Sequence, residues 1–108
     1  MKTKTVPLLL TLLTLLLGAA PTARSAEPIH IAVSAPLTGN FAEYGQNWQK
    51  AITMAVEWIN TAGGINGRPI EIVYGDSKSD PKDSAALAQK FTSDSRIVAE
   101  IGDFSSTA

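Results

Sequence analysis

The sequence predicts an α/β fold with a parallel, doubly wound sheet and elements in the order βαβαβ. Two observations carry this prediction. Three short apolar segments alternate with two longer segments that have an apolar stripe at helical spacing. The connections between them are short, and right-handed crossovers would follow.

The first apolar segment is predicted to be a buried strand. Isoleucine and valine occupy every second position from Ile29 to Val33, so we place the strand over residues 29–35. Pro36 has no N–H group to continue regular pairing, and Thr38-Gly39-Asn40 is a turn sequence. We therefore expect a loop over residues 36–44.

A long amphipathic helix is predicted to follow, from about Tyr44 to Ala62. Its apolar residues recur at helical spacing, which is typical of a helix that packs on a sheet. The predicted sheet-facing stripe consists of Trp48, Ala51, Ile52, Ala55, Ile59 and Ala62. The predicted polar face consists of Gln49, Lys50, Thr53, Glu57 and Asn60. Gly63 or Gly64 can adopt the left-handed conformation that ends such a helix.

The second half of the chain repeats this alternation. A second strand is predicted from Pro69 to Tyr74, where alternating apolar residues precede a Gly-Asp-Ser turn. Asp80 is a good N-cap for a second helix that extends to about Asp94. Residues 97–101 form the third strand, which is apolar apart from one glutamate.

The first 26 residues have the three-part pattern of a cleaved export signal. Two lysines precede a leucine-rich run over residues 6–20, and small residues follow. A run of this length is shorter than the roughly 20 residues that a membrane-spanning helix needs. We expect cleavage after Ser25 or Ala26, which would leave residues 27–108 in the periplasm.

The composition of residues 27–108 argues against several functions. The segment contains six basic and ten acidic residues and has no run of basic residues, so nucleic-acid binding is not expected. The sequence contains no cysteine, so no disulfide can stabilise the fold. The segment is small for a domain without such links, and we expect it to be the N-terminal part of a longer domain.

Motifs of catalysis and of cofactor binding are not found in residues 27–108. Glycine-rich nucleotide loops, nucleophile elbows and zinc-protease motifs are all missing. His30 is the only histidine and has no partner at metal-ligand spacing. We predict a binding protein without catalysis, cofactor or metal. An exported enzyme whose catalytic residues lie beyond Ala108 is the weaker alternative.

The loop after the third strand is the best candidate for a ligand site. Ser105, Ser106 and Thr107 bring three hydroxyl groups to the expected start of a helix. The first turn of a helix has free N–H groups and a partial positive charge, which together can hold a carboxylate. The alternative is that one of these residues simply caps the helix.

Two kinds of side chain near the other strand ends suit an amino-acid ligand. Tyr44 could cover an apolar ligand group, or it could instead be a hydrophobic staple at the helix start. Phe41 is a similar candidate. Asp76 and Asp103 could pair with a ligand ammonium group, although an aspartate in the position of Asp76 often only stabilises its own turn.

Four sequence motifs resemble, in order and spacing, those of the type I periplasmic binding proteins. They are PLTGNFAEYG, INTAGGINGRPIEIV, GDSKSDP and IVAEIGDFSSTA. Within that fold the chain is most similar to the leucine/isoleucine/valine-binding branch. The resemblance covers residues 29–108 and implies two α/β lobes that close on a small ligand. The chain would form the first part of the first lobe.

The resemblance also implies a function and a set of contacts. The protein would be the substrate-binding subunit of an ABC importer, presenting an amino acid or related ligand to a membrane permease. Tyr44 would lie over the ligand side chain, and Ser106 would hold the ligand carboxylate. The remaining residues implied for the same surface are Asp103, Phe104, Ser105 and Thr107.

One departure from the family pattern bears on the ligand. The resemblance implies a disulfide between the second and third loops in many amino-acid binders, and Ser79 and Ser105 occupy those positions here. The ligand identity therefore cannot be transferred directly. A periplasmic ligand-sensing domain of the same fold is an alternative function.

Overall fold

The computed structural model describes residues 26–106 and residue 108, and it has the predicted element order. The predicted signal peptide therefore lies almost entirely outside the described residues. The five elements are strand β1 (Ile29–Ala35), helix α1 (Ala42–Thr61), strand β2 (Ile70–Asp76), helix α2 (Pro81–Ser93) and strand β3 (Ile97–Ile101).

The three strands form one parallel sheet, as predicted, and their order in the sheet is β2-β1-β3. Strand β1 is central and pairs with β2 in continuous register from Ile29 opposite Ile70. Its pairing with β3 is interrupted by an irregularity between His30 and Ile31. Because all strands run in the same direction, their carboxyl ends meet at one edge of the sheet.

The core of the described residues lies around β1 and α2. Ala32, Val33 and Ala35 of β1 have no exposed surface, and Phe91 of α2 is only 2% exposed. Helix α2 approaches the sheet closely at Gly75, where an added Cβ would lie 2.5 Å from a methyl group of Leu87. The small residue at this position lets the helix pack against β2.

Helix α1 begins at Ala42, two residues before the predicted start. The Ala42 N–H group donates to the carbonyl of Gly39 at 3.2 Å, so the turn leads directly into the helix. Gly39 adopts a φ of +82°, which favours glycine. Tyr44 therefore lies in the first turn of α1 rather than at the end of the preceding loop.

A pair of glycines ends α1 as the sequence predicts. Gly63 and Gly64 both have positive φ angles, of +107° and +71°. Their N–H groups donate to the carbonyls of Asn60 and Ile59, at 3.1 and 2.9 Å. This is the Schellman arrangement, which satisfies the last carbonyl groups of a helix.

The predicted sheet-facing stripe of α1 is only partly correct. Trp48, Ile52 and Ile59 are half-buried, but the alanines at positions 51, 55 and 62 are exposed. The helix packs mainly on β2, so its alanine side lies over an open groove beside β3. Asn60, predicted on the polar face, instead hydrogen-bonds the N–H and carbonyl groups of Ile70, at 2.7 and 2.9 Å.

The second helix has the predicted start. The Asp80 carboxylate accepts hydrogen bonds from the N–H groups of Lys82 and Asp83, at 2.8 and 3.0 Å. Strand β3 lies at an edge of the described sheet, and its Val98 is 67% exposed although the strand is apolar. Neither helix in the described part of the chain combines the length and the apolar character needed to cross a membrane.

Candidate ligand-binding site

Three loops meet where the parallel strands end. Loop 1 comprises residues 36–41, loop 2 residues 77–80 and loop 3 residues 102–106, and each follows one strand. In open α/β sheets, ligands bind beyond the carboxyl ends of the strands. The loops therefore define the candidate site, and their mutual contacts determine its geometry.

The Asp76 carboxylate connects loop 1 to loop 2. Its Oδ1 atom accepts from the N–H groups of Leu37 and Thr38, at 2.9 and 3.2 Å, and its Oδ2 atom accepts from the Thr38 hydroxyl. It also accepts from Lys78 N–H at 3.0 Å. Burial raises the pKa of Asp76, but these hydrogen bonds outweigh burial and lower the pKa below its ordinary value. Asp76 is thus both a turn former and a contact between loops.

The Asp103 carboxylate connects loop 2 to loop 3. Its Oδ1 atom accepts from Ser105 N–H at 2.8 Å and from the Ser79 hydroxyl at 3.4 Å. Its Oδ2 atom accepts from the hydroxyl of Ser77, a residue with no exposed surface. The two serine positions that the resemblance singled out are therefore both hydrogen-bonded to Asp103.

Four aromatic rings gather beside these loops, and we refer to them as the ring cluster: Phe41, Tyr44, Trp48 and Phe104. Phe104 of loop 3 is central, with its ring centroid 5.3 Å from that of Tyr44 and 5.9 Å from those of Phe41 and Trp48. Such distances are typical of favourable aromatic pairs. Tyr44 is 58% exposed and Phe104 44% exposed, so the cluster presents an apolar surface to solvent.

The residues predicted to hold a carboxylate lie at the end of loop 3. Ser105 is half-buried and Ser106 is exposed, while Thr107 lies outside the described residues. The Ala108 N–H group donates to the Ser105 carbonyl at 3.3 Å, which forms a single turn. Ser106 follows Phe104 by two residues, so the hydroxyl and the aromatic surface belong to the same loop.

Two contributors to this region were not predicted from the sequence. Trp48 was assigned to the core, but its ring contacts Phe104. Its position four residues after Tyr44 places it on the same face of the helix, and this spacing was the available signal. No sequence pattern indicated that Ser77 would be buried, because its burial depends on the neighbouring strand ends.

A concave surface of about 350 Å³ lies between α2 and β3 and extends to loop 3. Its lining includes Ser84 and Ala85 of α2, Gly102 and Asp103 of loop 3, and Ala108. The buried hydroxyl of Ser84 has no hydrogen-bond partner within the described part of the chain. The ring cluster does not line this cleft. Residues 26–106 and 108 contain no group of three or more acidic or histidine side chains placed to hold a metal ion.

The fold and the loop architecture are those of a periplasmic binding protein. Residues 28–108 match the periplasmic binding protein family, and the chain belongs to that family. The solved structures that resemble it include a type 1 periplasmic binding protein. This protein, from Bordetella pertussis, is 33% identical with a TM-score of 0.71 and aligns over 74% of this chain and 22% of its own.

Several of the similar proteins are named as amino-acid-binding proteins. The leucine-, isoleucine-, valine-, threonine- and alanine-binding protein of Pseudomonas aeruginosa is 42% identical over 71% of this chain. A Leu/Ile/Val-binding protein homolog of Brucella abortus is 41% identical over 76% of this chain. The chain spans about a fifth of the length of these relatives, at 21% and 22% respectively.

A ligand-bound relative is also among the similar structures. The branched-chain amino acid transporter substrate binding protein LivJ from Streptococcus pneumoniae was solved in complex with isoleucine. It is 36% identical to this chain, with a TM-score of 0.65. The alignment covers 69% of this chain and 22% of that protein.

Proposed function

We propose that the chain is the first part of the substrate-binding subunit of an ABC importer that captures an amino acid. Membership of the periplasmic binding protein family supports this proposal, as do the names of the relatives. Because the chain spans only about a fifth of those relatives, the rest of the ligand site would come from the remainder of a two-lobed protein. Residues 27–108 would form the start of the first lobe.

The same proposal gives the protein a location and a partner. Residues 1–26 would direct export and be removed, which would place the binding protein in the periplasm. Closure of two lobes around the ligand would then present the complex to a membrane permease. Binding and release suffice for this role, so the proposed protein is not an enzyme.

Within this protein, we propose that the ring cluster contacts the apolar part of the ligand. The observation that carries the assignment is the contact between Tyr44 of α1 and Phe104 of loop 3, whose ring centroids are 5.3 Å apart. Their exposed faces would cover an aliphatic side chain of leucine, isoleucine or valine. Burial of such a side chain against aromatic surface is worth about 1.5–3 kcal/mol.

We assign the ligand carboxylate to the turn at the end of loop 3. The Ser106 hydroxyl would donate to the carboxylate, with Ser105 and Thr107 beside it. A hydrogen bond to a charged group contributes about 1.5–3 kcal/mol. Asp103 would contribute to the same surface through its contact with Ser105 N–H.

Titration calorimetry on the full-length protein tests both assignments. We expect binding of leucine, isoleucine or valine, and a loss of roughly 10- to 150-fold in affinity for Ser106→Ala. Tyr44→Ala should weaken binding, while Tyr44→Phe should retain most of it if the ring carries the contact.

Two matched controls separate these effects from general damage. Ser95→Ala makes the same chemical change in an exposed turn before β3, at the opposite edge of the sheet. Trp58→Ala removes an aromatic ring of α1 that is 77% exposed and lies outside the ring cluster. Both controls should bind like wild type. If Tyr44→Ala and Ser106→Ala each bind with wild-type affinity, these residues do not belong to the ligand site.

A further inference from the structure

Hydrogen bonds from two different loops converge on the Asp103 carboxylate. Ser105 N–H donates from loop 3 at 2.8 Å, and the hydroxyls of Ser77 and Ser79 donate from loop 2. Both carboxylate oxygens thus accept protein donors. These three hydrogen bonds use most of the roughly four acceptor positions of the carboxylate, which leaves little capacity for a ligand ammonium group.

The loop 2 side of this contact is anchored to the sheet. Ser77 has no exposed surface, and its N–H group donates to the Ala35 carbonyl at the end of β1, at 2.9 Å. Its hydroxyl accepts from Ser79 N–H at 3.2 Å while donating to Asp103. If Asp103 were removed, the buried Ser77 hydroxyl would lose its acceptor, which is unfavourable in a region away from water.

Asp103 completes a series of contacts that includes all three loops. Asp76 connects loop 1 to loop 2 through Leu37, Thr38 and Lys78, and Asp103 connects loop 2 to loop 3. The chain contains no cysteine, so these connections are noncovalent. Loop 3 carries Phe104, which lies between Asp103 and Ser105 in the chain, and Ser106, which follows them.

We propose that Asp103 is a positioning residue, which fixes loop 3 against loop 2 and so places Phe104 and Ser106 for the ligand. Its role is to accept hydrogen bonds within the protein rather than to pair with the ligand ammonium group. The effect on affinity rests on the function proposed above. The effect on loop order does not, because the hydrogen bonds exist within the chain alone.

Variants of the full-length protein distinguish these roles. Asp103→Leu keeps a similar side-chain size but removes both acceptors, whereas Asp103→Asn removes the charge and keeps one acceptor for Ser105 N–H. Asp94→Asn is the matched control, because Asp94 lies before β3, outside both measured segments, and forms its ion pair with Arg96. Two quantities are measured for each: amide hydrogen exchange over residues 77–79 and 103–106 without ligand, and affinity for leucine, isoleucine and valine.

We expect Asp103→Leu to speed exchange in both segments and to weaken ligand binding, each by about tenfold. Asp103→Asn should lie between Asp103→Leu and wild type in both measurements, and Asp94→Asn should match wild type. If Asp103→Leu does not fold, Ser77→Ala, which removes one donor to Asp103, should speed exchange in loop 3.

Two results would overturn the proposal. Unchanged exchange in folded Asp103→Leu would mean that Asp103 does not hold the loops. Wild-type exchange in Asp103→Asn, together with an affinity as low as that of Asp103→Leu, would identify a direct contact with the ligand charge. If the wild-type protein binds none of these amino acids, the proposed function fails, while the exchange data still decide the role of Asp103.

Discussion

The contact between α1 and loop 1 predicts that Gly45→Ala destabilises the protein, although alanine has a higher helix propensity than glycine. Gly45 is buried in the first turns of α1. A Cβ added there would lie 2.1 Å from the carbonyl oxygen of Pro36 and 2.6 Å from its carbonyl carbon. These are backbone atoms of a fully buried residue, so they cannot rotate away. The helix or loop 1 would have to move by about 1 Å to restore a normal contact distance.

Two opposing effects set the magnitude for Gly45→Ala. Replacing glycine by alanine within an unhindered helix stabilises it by about 1 kcal/mol. Overpacking a tight contact costs about 1–3 kcal/mol, and contact with rigid backbone favours the upper part of that range. We therefore expect Gly45→Ala to lower the free energy of unfolding by about 1–2 kcal/mol.

Denaturant unfolding of the full-length protein measures this difference. Gly67→Ala is a useful control, because Gly67 has a φ of +77° but nothing within 4 Å of an added Cβ. Backbone strain should cost this variant a similar amount, roughly 1–2 kcal/mol, but its ligand affinity should not change, so affinity distinguishes the two variants. Gly45→Ala should also weaken ligand binding, because Tyr44 and loop 1 move with the helix. If the Gly45→Ala protein is at least as stable as wild type, the close contact with Pro36 does not outweigh the gain in helix propensity.

Two further predictions concern the contacts that hold the elements together. Asn60→Ala removes both hydrogen bonds to the Ile70 backbone, so it should lower the free energy of unfolding by about 1–3 kcal/mol; an unchanged denaturation midpoint would contradict this. The lowered pKa of Asp76 means that its contribution to stability is complete above its ordinary pKa of 3.8 and is lost as the pH falls through the lower folded value. The stability difference between wild type and Asp76→Asn should therefore shrink on acidification below about pH 4, and a difference that persists unchanged at about pH 2 would contradict the assignment.

The elements were predictable because their signals are local. Alternating apolar residues identified β1 and β2, and the N-cap Asp80 identified the start of α2. The paired glycines at the end of α1 were equally informative, since only a left-handed conformation completes that cap. Parallel pairing followed from the alternation of strands and helices, and the sheet confirms it.

The incorrect predictions concern residues of α1 whose burial or hydrogen bonding depends on the neighbouring strand. Ala51 and Ala55 have the spacing of a packed stripe, but α1 lies mainly over β2, so they are exposed. Asn60 looked solvated, but it hydrogen-bonds Ile70 because the helix end lies beside the start of β2. Hydrophobic periodicity specifies a face of a helix without specifying which strand that face will meet.

The candidate site was predictable in its residue types but not in its connections. Tyr44 and Phe104 are distant in sequence and come together because β1 and β3 are adjacent in the sheet. The network around Asp76 and Asp103 likewise depends on β2 and β3 flanking β1. Strand order is therefore the missing information, because it decides which loops are neighbours.

The proposed site requires that the ring cluster and the turn at Ser106 receive an amino acid. A crystal structure of the full-length protein with leucine, isoleucine or valine bound would show whether they do. We expect the ligand carboxylate within hydrogen-bond distance of the Ser106 hydroxyl and the ligand side chain against Tyr44 and Phe104. A ligand bound without contact to Tyr44 and Ser106, for example against Ser84 and Ala85 alone, would show that the proposed site is wrong.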